Sequence, residues 1–227
     1  MKAPAHEVRI IGGAWKRSKL PVADRPGLRP TPDRVRETVF NWLGQTLTGW
    51  RCLDAFAGSG ALGFEAASRG AAEVVLLERD GGLIASLAAS KARLQAGAVR
   101  IERADAMAWM ARTPAASFDL VFLDPPFDSG LLDGALAAAA RIVSAGGFVY
   151  AESGTPLAAL PAGAGLEPFR ASRAGAVHFQ LFRRPAPDPG DAGDRLSDDP
   201  DSNADRRMTE EMERATYSPG MLPGIRP

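Results

Sequence analysis

Short apolar runs alternate with amphipathic stretches through the middle of the chain, and that rhythm predicts its architecture. Strands are expected at residues 52–56, 73–78, 99–103, 120–123 and 148–151. Helical stretches fall between them at 60–69, 82–94, 106–111 and 131–142. Strand and helix in strict alternation imply parallel strands joined by right-handed crossovers, an α/β fold whose ligands sit beyond the strand carboxyl ends. Ahead of this unit, residues 8–11 and 19–22 flank Gly12-Gly13 and read as a small hairpin. Thr31-Pro32-Asp33 reads as a capped start of a helix reaching Leu43, with Val35, Val39, Trp42 and Leu43 on one face and Arg34 and Arg36 turned away from it. After Gly154, residues 166–171 and 177–182 read as a closing antiparallel hairpin. Beyond Arg184 no periodicity remains, and the stretch 185–205 is nearly devoid of large apolar residues, a composition that predicts disorder.

Charge changes this picture because it is unevenly placed. The 227-residue chain has a formal net charge of zero, yet residues 1–37 carry nine Lys and Arg against four acidic residues, and residues 185–227 carry five Arg against ten. An acidic tail thus masks a basic N-terminal arm, the usual electrostatic footprint of phosphate contact. The expected division is a basic hairpin and arm over 1–37, a catalytic domain over 38–184 and an acidic tail over 185–227. No apolar run approaches the ~20 residues that span a bilayer, and no secretory h-region follows Met1, so a cytoplasmic protein without membrane partners is expected. The single cysteine, Cys52, lies in an apolar strand and reads as packing rather than as a nucleophile. His6 and His178 have no partners in sequence, and no metal is implied.

Two motifs carry candidate chemistry. Between the first main strand and its helix, Asp54-Ala55-Phe56-Ala57-Gly58-Ser59-Gly60 leads to Gly63, giving G-x-G-x-x-G spacing, and Glu78 follows twenty residues after Gly58. The glycines permit close backbone approach and the carboxylate accepts from ribose hydroxyls, logic that suits any adenosine ligand. Charge chooses between ligands. Asp54, Glu78, Asp105 and Asp124 each close a strand, and a rim of four carboxylates repels a pyrophosphate but suits the sulfonium and ammonium of S-adenosylmethionine. The expected donor site comprises Asp54, Ala55, Phe56, Gly58, Ser59, Gly60, Glu78, Arg79, Asp105 and Ala106. In it Glu78 holds the ribose, Asp105 with its adjoining backbone reads the adenine amine, and the loop 58–60 passes under the methionine portion.

The second motif, Asp124-Pro125-Pro126-Phe127, follows the apolar run 120–123. Two prolines fix φ and remove two N–H donors, leaving a stiff, carbonyl-rich turn at a strand end. The Asp124 carboxylate and the Pro125 carbonyl can there accept both hydrogens of one exocyclic NH2, while Phe127 offers a ring face to a base.

With both motifs in place the chain resembles the class I methyltransferases that act on exocyclic amines. Arg9-Ile10-Ile11-Gly12-Gly13, Gly27-Leu28-Arg29-Pro30-Thr31, the run from Asp33 to Leu43 and the closing Ala174-Gly175 hairpin narrow the resemblance to the bacterial 16S ribosomal RNA guanine-N2 methyltransferases, over residues 8–184. That resemblance implies a Rossmann-like, mostly parallel seven-stranded sheet closed by an antiparallel hairpin. It also implies a monomer that methylates one guanine of 16S rRNA in an assembling small subunit. Asp124, Pro125, Pro126 and Phe127 would form the catalytic motif, and Arg9, Lys16, Arg17, Lys19, Arg29, Arg34 and Arg36 would track phosphates. A DNA adenine-N6 methyltransferase shares the Asp-Pro-Pro-Phe chemistry but generally carries a larger recognition region. An NAD-linked oxidoreductase or a non-catalytic RNA-binding factor would leave that tetrapeptide without a use.

Overall fold

The inner strands are apolar on both faces, as strands covered by helices on either side must be. The computed structural model describes residues 6–23, 31–157, 160 and 165–186. In chain order the elements are β1 (His6–Arg9), β2 (Lys19–Val22), α1 (Asp33–Trp42), β3 (Arg51–Asp54), α2 (Ala61–Ser68), β4 (Glu73–Glu78), α3 (Gly81–Leu94) and β5 (Val99–Arg103). There follow α4 (Ala106–Arg112), β6 (Phe118–Leu123), a 3-10 turn (Phe127–Ser129), α5 (Leu132–Ile142), β7 (Val143–Ser153), β8 (Glu167–Ala174) and β9 (Val177–Arg183). The main sheet has seven strands in the order β5-β4-β3-β6-β7-β9-β8. Its first five strands run parallel, and β9 pairs antiparallel with both β7 and β8. This is the expected Rossmann-like class I architecture. Strand order reverses between β3 and β6, so their carboxyl ends open the crevice that such sheets offer to ligands.

Period-2 alternation sorts the strand side chains into two cores. Cys52, Val74, Leu76, Leu120, Phe122 and Tyr150 pack under α1, α2 and α3, whereas Leu53, Val75, Leu77, Val121, Leu123 and Val149 pack under α4 and α5. The hairpin β1–β2 joins the first core through Val8, Ile10, Leu20 and Val22. Its turn is fastened to α2 by polar contacts. Glu65, fully buried on α2, accepts from the Ile11 and Gly12 N–H groups at 2.7 and 2.8 Å. Ser68 donates to the Gly12 carbonyl at 2.6 Å and accepts from the Trp15 N–H at 2.9 Å. Gly13, at φ +74°, lies so close that a Cβ there would stand 1.8 Å from the Ser68 carbonyl oxygen. Glycine is required by both backbone conformation and space.

Two expectations need correction. Arg36, expected to face away from the core and to track phosphate, has no exposed surface. Its guanidinium meets Glu65 at 3.3 Å, Asp33 at 2.7 Å and the Arg9 carbonyl at 2.7 Å. A buried charge is tolerable only when paired in this way, and the guanidinium fork suits it. α1 turns accordingly, burying Val35, Arg36, Val39 and Phe40. Secondly, β7 begins five residues before the expected strand and ends two after it. Its first part is hidden in the small residues Ser144-Ala145-Gly146-Gly147, where the pairing with β6 shifts register between Phe118 and Leu120. Gly147 fits that irregularity because a Cβ would lie 2.8 Å from the Asp119 carbonyl oxygen. The expectations for residues 187–227 and for Arg29 lie outside the described residues.

Replacing Arg36 by Ala takes from the buried Glu65 one of its two guanidinium partners and leaves a cavity in the core, and is expected to cost about 3 to 5 kcal/mol in urea denaturation. Arg34→Ala, on the exposed side of the same helix, is expected to stay within about 0.5 kcal/mol. Equal losses for the two variants would contradict the burial of Arg36.

A carboxylate-lined candidate active site

β3 ends at Asp54, whose buried carboxylate turns back to accept the Gly63 N–H of α2 at 3.0 Å. Burial, together with the negative charges of Glu78 and Glu152, outweighs the backbone donors at Gly63 and Phe56 and pushes the Asp54 carboxyl up to about 7. Asp54 thereby ties the strand end to the helix and sets the glycine loop between them. Gly58 and Gly60 adopt φ of +53° and +78°. At Gly63 a Cβ would collide with Leu76 at 2.1 Å, so the third glycine serves close helix–strand packing.

Glu78, at the end of β4, holds this loop from the other side. Its Oε2 accepts the Gly58 N–H at 3.1 Å, and Oε1 accepts the Arg79 and Asp80 N–H groups at 2.7 and 2.8 Å. Three backbone donors fix the carboxylate in one orientation beside the loop. Ala55, Gly58 and Gly60 are buried, while Phe56 and Ser59 are half-buried along the loop and Arg79 is exposed. Asp105 is exposed at the start of α4, where its Oδ1 accepts the Ala108 N–H at 2.9 Å as an N-cap, and Ala106 behind it is buried. Asp105 is therefore a helix cap in this structure, which leaves its adjoining backbone at the crevice edge.

Asp124 leaves the end of β6, next to β3 in the sheet. Burial, then the charges of Glu152 and Asp54, pushes its carboxyl well above the usual carboxylate range, and a hydrogen bond with Thr31 opposes that rise. Pro125 is buried and Pro126 exposed. The Pro126 carbonyl is used by Ser129, through its N–H at 3.0 Å and its hydroxyl at 2.6 Å, whereas no donor among the described residues takes the Pro125 carbonyl. Phe127 is 48% exposed, the one large apolar side chain among the described residues that faces solvent to this degree. Its ring passes Gly154, where a Cβ would come within 3.3 Å. An exposed ring beside unused acceptors is the arrangement a nucleobase needs.

Three residues of this site were missed in the sequence. Thr31, read as a helix cap, makes no cap bond, and its hydroxyl instead donates to Glu152 Oε1 at 2.8 Å. The buried Tyr150 hydroxyl donates to the same oxygen at 2.8 Å. Glu152 lies one residue before the end of β7, and the rule that found Asp54, Glu78 and Asp105 finds it once the strand is carried one residue past Ala151. Among the described residues no three His, Cys, Asp or Glu side chains converge on a metal-sized site.

Of the expected phosphate contacts, Arg9, Lys16, Arg17, Lys19 and Arg34 are exposed, Lys19 pairing with Glu7 at 2.7 Å, and Arg36 is withdrawn into the core. A cleft of about 460 Å³ lies at the opposite end of the sheet, lined by Arg51, Arg100, Trp109 and Phe118. Asp119, Glu73 and Glu102 answer its Arg51 and Arg100, and no crevice residue reaches it.

The profile of the family described as "Conserved hypothetical protein 95" matches residues 8–183. The chain is 44% identical over 207 residues to the Ribosomal RNA small subunit methyltransferase D of Escherichia coli strain K12, covering 85% of this chain and 100% of that one. It is 46% identical over 136 residues to the protein of the same name from Haemophilus influenzae, covering 58% of this chain and 69% of that one. The solved structure of yhhF from Escherichia coli, described as a methyltransferase, is similar with a TM-score of 0.70 at 41% identity, covering 80% of this chain and 99% of that one.

The raised Asp54 carboxyl makes a pH prediction. Below about pH 4 the group is neutral in folded and unfolded chains and contributes nothing. As pH rises from about 4 to about 7 only the unfolded chain ionises, so the folded state loses stability, on the order of 4 kcal/mol at 1.36 kcal/mol per pH unit. Asp54→Asn is expected to lack this loss, and urea denaturation of both proteins between pH 4 and 8 should show their stabilities diverging across that window. Parallel curves would contradict it.

Proposed function

The chain belongs to the Conserved hypothetical protein 95 family, and we propose that it transfers a methyl group from S-adenosylmethionine to the exocyclic N2 amine of one guanine in small-subunit (16S) ribosomal RNA. Methyl transfer and the rRNA substrate rest on the relatives, which are small-subunit rRNA methyltransferases aligned over most of this chain. An exocyclic amine as acceptor rests on one observation: Asp124 and an unused Pro125 carbonyl stand beyond β6, beside the glycine loop of β3, with the exposed Phe127 ring next to them, and guanine N2 is the amine that the resemblance to the 16S rRNA guanine-N2 methyltransferases implies.

The donor fits the chemistry of the crevice. Asp54, Glu78, Asp124 and Glu152 supply negative charge within electrostatic reach of one another, which opposes a pyrophosphate and favours a cationic ligand. Glu78 would hold the ribose, Asp54, Ala55, Phe56, Gly58, Ser59 and Gly60 the methionine portion, and Arg79 and Asp105 with Ala106 the adenine. When bound, S-adenosylmethionine supplies an electrophilic methyl group.

The protein's own contribution is to ready the amine. A guanine N2 lone pair is delocalised into its ring. Accepting one N–H at Asp124 and the other at the Pro125 carbonyl favours a pyramidal nitrogen whose lone pair is free to attack. The methylated nitrogen would have one proton to shed, and the Asp124 carboxylate is placed to take it. Orientation and preorganised acceptors carry the rate. Phe127 stacks on the extruded base, and Arg9, Lys16, Arg17, Lys19 and Arg34 follow phosphates. We further propose a monomer acting in the cytoplasm on an assembling subunit. Among the described residues no helix is long and apolar enough to cross a membrane.

Purified protein with tritiated donor is expected to label small subunits from a strain lacking this methylation, with the label recovered by mass spectrometry as N2-methylguanine. Label in adenine, or none, overturns the reading. Asp124→Ala is expected to lower kcat by roughly 10³-fold, with donor affinity by calorimetry within about twofold. Phe127→Ala is expected to raise KM for RNA by roughly 10- to 100-fold, the equivalent of a stacking contact of about 1 to 3 kcal/mol.

A further inference from the structure

Asp124 and the Pro125 carbonyl account for the two hydrogens of the amine, but a guanine brings a third donor to the crevice. On its Watson–Crick edge the N1–H adjoins the N2 amine, and a base drawn out of its stack is read along that edge. Adenine carries no hydrogen at N1 and offers a lone pair there. An acceptor beside Asp124 would therefore tell the two purines apart.

The neighbouring strand β7 supplies one. Phe122 pairs with Tyr150 and Leu123 with Ala151, so the next residues along, Asp124 and Glu152, stand abreast at the carboxyl ends of adjacent strands, which lie about 4.8 Å apart. Phe127, the ring on which the base stacks, passes Gly154, two residues beyond Glu152. The edge of a base stacked there meets both strand ends.

Glu152 is fixed by one oxygen and open at the other. Its Oε1 accepts the hydroxyls of Thr31 and Tyr150, each at 2.8 Å, whereas no donor among the described residues takes Oε2. Among those residues no buried side-chain oxygen lacks a hydrogen bond, so Oε2 keeps accessible surface although Glu152 as a whole is only 3% exposed. Asp54 cannot serve in its place. Register sets it beside Phe122, two residues lower, and its carboxylate turns back to the Gly63 N–H. Burial raises the Glu152 carboxyl, and the two hydroxyls oppose that rise by favouring the ionised acceptor.

We propose that Glu152 is a specificity-determining residue, whose Oε2 accepts the N1–H of the target guanine while Asp124 accepts from the adjoining N2 amine. The inference rests on the proposed reaction at this site and deepens it, since it says what selects guanine. Two acceptors side by side match two donors side by side. An adenine turned to the same pair would set its N1 lone pair against a carboxylate and leave that buried oxygen without a partner, a penalty that a pocket can make large.

The test uses the full chain and small subunits assembled on 16S rRNA that carries either guanine or 2-aminopurine at the position located by the tritium label. 2-Aminopurine keeps the N2 amine but has a lone pair in place of the N1–H. Wild-type kcat/KM is expected to favour guanine by at least about 100-fold. In Glu152→Gln the two hydroxyls hold the amide oxygen, which turns the NH2 towards the base, and the preference is expected to fall by at least about tenfold. Thr31→Val loosens the carboxylate without changing its charge, is expected to lower the preference about three- to tenfold, and reads the same contact should Glu152→Gln not fold. The intrinsic difference in reactivity between the two bases cancels between wild type and variant, and a residue that only braces the fold would slow both bases alike. A preference unchanged in Glu152→Gln, or in Thr31→Val where that variant alone folds, overturns the proposal, as does a wild type that methylates both bases equally well. A wild-type protein that labels no small-subunit RNA, or labels it at adenine, overturns the reaction itself and with it the role given to Glu152.

Discussion

Glu65 is the contact on which the geometry of this protein turns. It sits in the middle of α2, the helix that the glycine loop launches, and receives two N–H groups from the N-terminal hairpin and two guanidinium groups, those of Arg36 and Arg69. A carboxylate this deep costs several kcal/mol in desolvation and persists only because every acceptor direction is met. The consequence is architectural. The hairpin, α1 and the loop-bearing helix share one electrostatic centre, so the basic segment is built into the catalytic unit rather than hung from it.

Much of this was legible because local chemistry and global fold agree. The alternation from β3 to β7, the three glycines and the acids at strand ends are features of adjacent residues, and the structure places them where spacing predicts. What stayed hidden is pairing across distance. Arg36 reads as an exposed helical arginine until Glu65 is known to face it. Thr31 reads as a cap because Thr-Pro-Asp usually starts a helix, but its partner Glu152 is 121 residues away. β7 was cut short at both ends: small residues around Gly146 mask a strand that continues through a register shift, and an acid after Ala151 looks like solvent.

The crevice shows why the carboxylates are spread over neighbouring strands rather than gathered on one. Asp54, Asp124 and Glu152 stand at the carboxyl ends of β3, β6 and β7, which lie side by side, and the pleat turns all three side chains to the face that α1 covers. Their surroundings differ: Asp54 accepts backbone N–H groups, Glu152 accepts two hydroxyls, and Asp124, on the strand between them, faces the charges of both. Like groups in unlike surroundings acquire unlike proton affinities.

The docking of the hairpin turn against Ser68, with no room even for a methyl group at Gly13, makes the separation between that turn and the glycine loop a fixed length, set by two turns of α2. A rigid span of this kind works as a calliper. Any ligand that touches both the hairpin turn and the glycine loop must span that one set distance, because neither end can move towards the other without breaking the packing of α2.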